Sequence, residues 1–240
     1  MIEVKNLIVS FNGKTVLENI NLTIPKNEIT IIVGQSGCGK SVLMKSIEGL
    51  ITPDSGKIQI DGVNVFSLNR RELNKTRRKL AMLFQGSALL DSLNVYQNVA
   101  LPLMEHSELP EDEISRIVSE KLELVGLAGT FYKMPAELSG GMKKRVALAR
   151  AIILQPEYII YDEPTTGLDP IIADEIINLI LKLYRKYNVT SIIVTHDLHC
   201  IQRIEGNIAM IHDKKIVFDG TYNDFKNDNI EYVKKFVSRN

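Results

Sequence analysis

The sequence predicts an α/β fold: a largely parallel sheet carrying helices, a small antiparallel β-subdomain near the start, and a helical insert in the middle. Three observations predict it. Short, nearly continuous β-branched runs, such as Ile29–Val33 and residues 191–194, have the pattern of strands covered on both faces. These runs alternate with stretches of helical period, and such alternation implies parallel neighbours. Between about residues 86 and 157, clear strand runs disappear and helical periodicity prevails. The 240 residues are therefore read as one domain, with a core of 1–85 and 158–240 and an insert of about 86–157.

Taken in order, Asn12-Gly13 separates two apolar-rich stretches, Ile2–Phe11 and 15–24, which reads as a hairpin. Ile29–Val33 is a buried strand, followed by a glycine-rich turn and a helix over 40–50. Asp54-Ser55-Gly56 and Asp61-Gly62 bracket a strand over 57–60, and 80–84 returns to strand after a polar, basic stretch over 69–79. In the insert, Ile114, Ile117, Val118, Lys121, Leu122 and Val125 trace one largely apolar helical face. A strand over 158–161, a helix over 171–187 and a strand over 191–194 follow. A second hairpin, 208–211 with 216–218, turns at Asp213-Lys214. The segment 222–240 is short and charged, and reads as a frayed tail or a contact helix.

Composition narrows the function classes. The 29 Lys and Arg balance 29 Asp and Glu, which argues against a broadly basic surface for nucleic acid. The longest apolar run, 80–84, is far short of the ~20 residues a spanning helix needs, and the start lacks the pattern of a signal peptide. Cys38 and Cys200 stand too far apart in sequence for a disulfide framework or zinc spacing. The cytosol is the expected compartment.

Gly34-Gln35-Ser36-Gly37-Cys38-Gly39-Lys40-Ser41 fits GxxxxGK[ST] between a strand and a helix. Glycines let backbone N–H groups converge on phosphate oxygens, and the helix start adds partial positive charge. Lys40 would reach the β- and γ-phosphates of a nucleotide and Ser41 would ligate Mg²⁺. A chance match in a chain this long has a probability on the order of 1%. Asp162-Glu163 ends a buried strand at the sheet edge where ligands bind in open α/β folds. Asp162 would hold the metal shell, and Glu163 would orient or deprotonate a water. An acidic strand end alone is common; its pairing with the glycine-rich loop is what gives it weight. Cys38, beside backbone N–H groups at a helix start, is expected to have a lowered thiol pKa.

Leu138-Ser139-Gly140-Gly141-Met142, directly before a helix over 143–154, is a second anion-binding helix start with no tenant in its own chain. This run resembles the signature of the ABC-transporter ATPases, and the resemblance extends from Phe11 to about Thr221. It implies a P-loop ATPase (RecA-like) core binding ATP and Mg²⁺, and a homodimer in which Ser139, Gly140 and Gly141 face the γ-phosphate of ATP held by the other copy. It further implies that Phe11 stacks on adenine, that Gln85 touches Mg²⁺ and links to a membrane partner, and that His196 senses the γ-phosphate. Gly167-Leu168-Asp169 would be the loop that crosses the dimer interface. Met142 stands where the family usually has Gln.

The run from Met82-Leu83-Phe84-Gln85-Gly86-Ser87 through Asn98-Val99-Ala100-Leu101-Pro102-Leu103, with Met142, is similar to the ATP-binding subunits of Mla-type phospholipid transporters. That branch implies an integral membrane permease, an MCE-type lipid-binding protein and a STAS-domain protein as partners, and a peripheral place on the cytoplasmic side of the inner membrane. Other readings are an ABC subunit for amino acids, metals or lipoproteins, or a soluble ABC ATPase acting on DNA or ribosomes. Ala88-Leu89-Leu90 either packs the insert or faces the permease. Arg70, Arg71, Lys75, Arg77, Arg78 and Lys79 form either a solvated helix face or a patch for anionic headgroups or nucleic acid.

Overall fold

A computed structural model describes residues 1–238. Two sheets are present. The first is antiparallel, in the order β2 (Lys14–Ile24), β1 (Ile2–Phe11), β4 (Ser55–Ile60), β5 (Val63–Asn64). Buried and less buried residues alternate along β1, as expected of a strand with one face on a core. The second sheet runs β10 (Lys215–Gly220), β9 (Asn207–His212), β3 (Ile29–Val33), β8 (Thr190–Val194), β7 (Tyr158–Asp162), β6 (Leu80–Leu83). The strands from β9 to β6 are parallel, and only β10 returns antiparallel.

Every residue of β3 and β8 is buried, because layers cover both faces of the central sheet. The period of two sorts their side chains. Ile31, Ile159, Tyr161 and Ile193 face the core beneath the insert and α6 (Pro170–Tyr187). Ile32, Tyr158, Ile160 and Ile192 face the core shared with the antiparallel sheet and α1 (Lys40–Ile47). The site-bearing sheet is thus clamped between two apolar cores.

The insert holds α3 (Val95–His106), α4 (Glu111–Leu124) and α5 (Gly140–Ala151). Ile114, Val118, Leu122 and Val125 are buried as the periodicity predicts, and Lys121 is buried with them because its ammonium donates to the Tyr187 hydroxyl at 2.8 Å. Helix α1 stops three residues earlier than the sequence pattern predicts. Gly49 adopts φ 68°, a left-handed conformation that closes a helix readily when no Cβ is present. The basic stretch forms α2 (Arg70–Arg77), started by reciprocal bonds between Asn69 and Glu72. After α7 (Leu198–Ile204) and the last hairpin, the chain forms α8 (Tyr222–Asn227) and α9 (Glu231–Ser238). The frayed-tail alternative does not hold for the described part of 222–240, because Phe225, Val233 and Phe236 are buried in the main core. Residues 239–240 lie outside the described residues.

Candidate functional site

The parallel register brings the ends of β3, β8 and β7 level. Ile32 and Asp162 both pair with Val194, so the segments leaving these strands emerge along one edge. Residues 34–41 leave β3, Glu163 leaves β7 and His196 leaves β8. That edge is where the chain concentrates its chemistry.

The glycine-rich loop is built for close approach. A Cβ on Gly34 would lie 2.4 Å from the Ile211 carbonyl oxygen and 2.7 Å from Cys38 Sγ, and one on Gly39 would lie 2.6 Å from Leu17 Cδ2. Gly39, at φ 108°, turns the chain into α1. Lys40 is buried, and its ammonium donates to the carbonyls of Gly34 (2.6 Å) and Gln35 (3.1 Å). Those oxygens hold the cation within the loop. Ser36 and Ser41 are exposed. Phe11 lies at the tip of the first hairpin and is 45% exposed, free to meet a planar ligand.

Glu163 is buried and sits at φ 48°, a left-handed conformation rare for a residue with a long side chain. Its N–H donates to the Val194 carbonyl at 2.8 Å, which fixes the turn. One carboxylate oxygen lies 2.7 Å from His196 Nδ1, and the other accepts from Thr166 (3.2 Å) and Thr195 (3.5 Å) hydroxyls. Strained backbone held by this many bonds is characteristic of functional sites. Burial pushes the Asp162 carboxyl above the ordinary range; adjacent Glu163 adds to the shift, while Lys40 and Lys144 oppose it.

Gln85 follows β6, and its carbonyl accepts from Lys144 on α5 at 2.5 Å. Ser139 caps the start of α5, its hydroxyl accepting from the Met142 N–H at 3.3 Å. Ser139 and Gly140 are exposed, whereas Gly141 is buried against Ile172 of α6. Among the described residues no hydrogen bond or ion pair joins 139–141 to 34–41. The structure therefore gathers Lys40, Asp162, Glu163, His196 and, through Lys144, Gln85, and leaves the Ser-Gly-Gly start of α5 outside that cluster. Asp169 caps α6, accepting from the Ile171 and Ile172 N–H groups at 3.1 Å.

Three expectations are corrected or narrowed here. The Cys38 thiol is raised, not lowered: burial outweighs the nearby Lys40 charge and the backbone N–H bonds. Leu89 packs on the core, as the first alternative for 88–90 expects, and Leu90 lies exposed. The basic stretch also divides. Arg77 donates to the Glu48 and Gly49 carbonyls (3.0 and 2.8 Å), and Lys79 pairs with Asp61 and Glu157, while Arg70, Arg71, Lys75 and Arg78 have no ion-pair partner among the described residues. Sequence reasoning missed Lys144 and Thr166. Lys144 was visible in principle: it shares a helical face with Gly141 and Leu148, at offsets of three and four, where an apolar residue is normal.

Residues 17–166 match the family model described as ABC transporter. The chain is 45% identical over 221 residues to the intermembrane phospholipid transport system ATP-binding protein MlaF of Haemophilus influenzae, covering 92% of this chain and 84% of that one. It is 40% identical over 237 residues to a probable ribonucleotide transport ATP-binding protein of Mycobacterium leprae, covering 99% and 68%. Among solved structures it resembles a dimeric ATP-binding cassette in a post-hydrolysis state with ADP and Pi (TM-score 0.83, 31% identity, 92% and 98% coverage). Residues 34–41, 139–141 and 162–163 all lie within the matched segment, and the chain belongs to the ABC transporter family as an ATP-hydrolysing, ATP-binding subunit.

Proposed function

We propose that two copies of this chain sandwich two ATP molecules and drive phospholipid movement between bacterial inner and outer membranes through a permease. One observation carries the two-copy reading. The loop 34–41, Glu163 and His196 collect on one edge, while the exposed start of α5 reaches none of them within the chain. Each site then takes Lys40 and Glu163 from one copy and Ser139, Gly140 and Gly141 from the other. The dimeric solved relative supports this arrangement. The MlaF relative supports phospholipid as cargo; the MCE-type and STAS-domain partners and the cytoplasmic face of the inner membrane belong to the same proposal and rest on the resemblance of residues 82–103 and Met142 to that branch.

The residues divide the chemistry. The loop 34–41 and Lys40 bind and neutralise phosphate, and Phe11 stacks on the base. Ser41, Gln85 and Asp162 offer hard oxygen donors and would hold a Mg²⁺ ion. Bound there, Mg²⁺ would neutralise charge on the transferring phosphoryl group. Glu163, oriented by His196 and Thr166, accepts the proton of the attacking water. Hydrolysis removes the phosphate that bridges the copies, so the closed dimer loses the ligand that favoured it.

The 86–157 segment acts as the arm that reports this change to the permease. A groove of about 660 Å³ supports that role, lined by Arg77, Arg78, Phe84, Leu90, Leu101 and Pro102 where α2, the Gln85 loop and α3 meet. No helix among the described residues is long and apolar enough to cross a membrane.

Glu163→Gln tests the site: it should bind ATP, accumulate dimers in sedimentation, and lose turnover by roughly 10²–10⁴-fold. Unchanged turnover would remove Glu163 as base. Reconstitution with the permease in liposomes tests the cargo. ATP-dependent phospholipid transfer is expected, and ribonucleotide transfer instead would favour the function named for the mycobacterial relative.

A further inference from the structure

We propose that Lys144 is a positioning residue that ties the signature helix of each chain to that chain's own catalytic loops, and so couples the two ATP sites of the dimer. The inference rests on the two-copy reading above. Lys144 is 3% exposed. Its ammonium donates to the Gln85 carbonyl at 2.5 Å and lies 3.4 Å from the Glu163 carbonyl. One side chain thus bridges the loop leaving β6 and the loop leaving β7.

A buried ammonium has only donors, and it is costly to leave without acceptors. The two carbonyls and α5 must therefore move together. Six residues further along the same helix, Arg150 donates to the carbonyls of Ser87 (2.9 Å) and Ala88 (2.8 Å). Both of those residues are left-handed, at φ 63° and 45°. The loop 85–88 is consequently fastened to α5 at both ends.

The geometry separates two jobs. His196, Thr166 and Thr195 hold the Glu163 carboxylate, whereas Lys144 holds its backbone. Along α5, Lys144 stands about 6 Å beyond Gly140. When Ser139, Gly140 and Gly141 engage ATP bound by the second copy, any shift of the helix start reaches Gln85 and Glu163 of the first copy through this ammonium. A site whose partner holds ATP would then be better set for hydrolysis.

ATPase turnover by the full chain, as a function of ATP concentration, tests this. Lys144→Met should leave KM for ATP within ~2-fold and lower kcat by roughly 10–100-fold, the cost of misplacing reacting groups by about 1 Å. Its Hill coefficient should fall toward one, and its melting temperature should stay near that of the parent. Lys144→Arg, which keeps the charge and the donors, should restore both kcat and the Hill coefficient. Should Lys144→Met fail to fold, Lys144→Gln, with donors but shorter reach, should show the same separation of kcat from KM.

The proposal is overturned by a Lys144→Met enzyme with parental kcat. It is equally overturned by parallel losses of affinity, turnover and melting temperature, by no rescue in Lys144→Arg, or by a Hill coefficient of one in the parent. Glu163→Gln run alongside separates the causes of failure. If Glu163→Gln is inactive and Lys144→Met is normal, only this inference fails; if Glu163→Gln turns over, the site reading itself fails.

Discussion

Cys38 shows how a local rule yields to its surroundings. Its thiol follows Gly37 within the phosphate loop, two residues before α1, where helix-start N–H groups favour a thiolate. Yet the sulfur lies against the Gly34 backbone, where a Cβ would be 2.7 Å away, and burial there disfavours charge more than Lys40 and the N–H groups favour it. Cys200, buried on α7, is pushed further, up to about 12, by burial and then by Asp197 and Glu163. Neither thiol is poised as a nucleophile at neutral pH. Iodoacetamide at pH 7 should label both more slowly than it labels N-acetylcysteine, with intact mass as the readout. At pH above 9, Cys38 should react before Cys200, activity should fall with its labelling, and ATP should protect. Labelling of Cys38 at pH 7 as fast as the free thiol would contradict the raised pKa.

At the scale of elements, the contact between α5 and α6 decides where the signature points. Gly141 is the residue that permits it, since a Cβ there would stand 2.6 Å from Ile172 Cγ2. Ile172 is β-branched and stiff at χ1, so α5 must tilt to accept the methyl. Gly141→Ala should lower turnover about 10–100-fold while nucleotide binding by residues 34–41 persists. It should also cost about 1–3 kcal/mol from overpacking. Ile172→Ala in the same chain removes the clashing carbon and should recover part of the turnover; no recovery would show that the contact does not set the helix angle. The elements were largely legible. The run Ile29–Val33 is a strand residue for residue, and the α4 face was visible because buried positions recur at helical spacing. The site was legible where chemistry is tied to a short motif, as at residues 34–41 and 162–163. Lys144 left only the faint signal of a cation on an apolar helical face, because its partner Gln85 lies 59 residues away, and Thr166 left none, because a threonine three residues after an acid is too common to mark a support for the Glu163 carboxylate.

Over the whole molecule, zero net charge conceals segregation, with the exposed cations Arg70, Arg71, Lys75 and Arg78 near α2 and acidic Glu111, Asp112 and Glu113 opening α4. Between the two sheets the charges meet instead. Asp61, in the turn after β4, accepts from the Tyr158 hydroxyl at 2.6 Å, at the first residue of β7. It also receives the Met1 ammonium at 2.9 Å and Lys79 at 3.3 Å, and Lys79 continues to Glu157 at 3.0 Å. Burial alone would raise the Asp61 carboxyl, but these donors together hold it well below the usual carboxylate range. A carboxyl depressed in the folded state stabilises the fold above its unfolded pKa of about 4, and that contribution is lost as pH falls through the folded value. Asp61→Asn should therefore be less stable than the parent at pH 7, by about 1–2 kcal/mol for a charged acceptor in a partly exposed network. The difference should hold down to about pH 5 and shrink below pH 4 as the parent loses its advantage. Urea unfolding of both chains between pH 3 and 7 measures it, with Tyr158→Phe as a second variant expected to show a smaller gap. A difference that stays constant through pH 3 would mean that Asp61 contributes shape and not charge, and that the two sheets are held together by their shared apolar core alone.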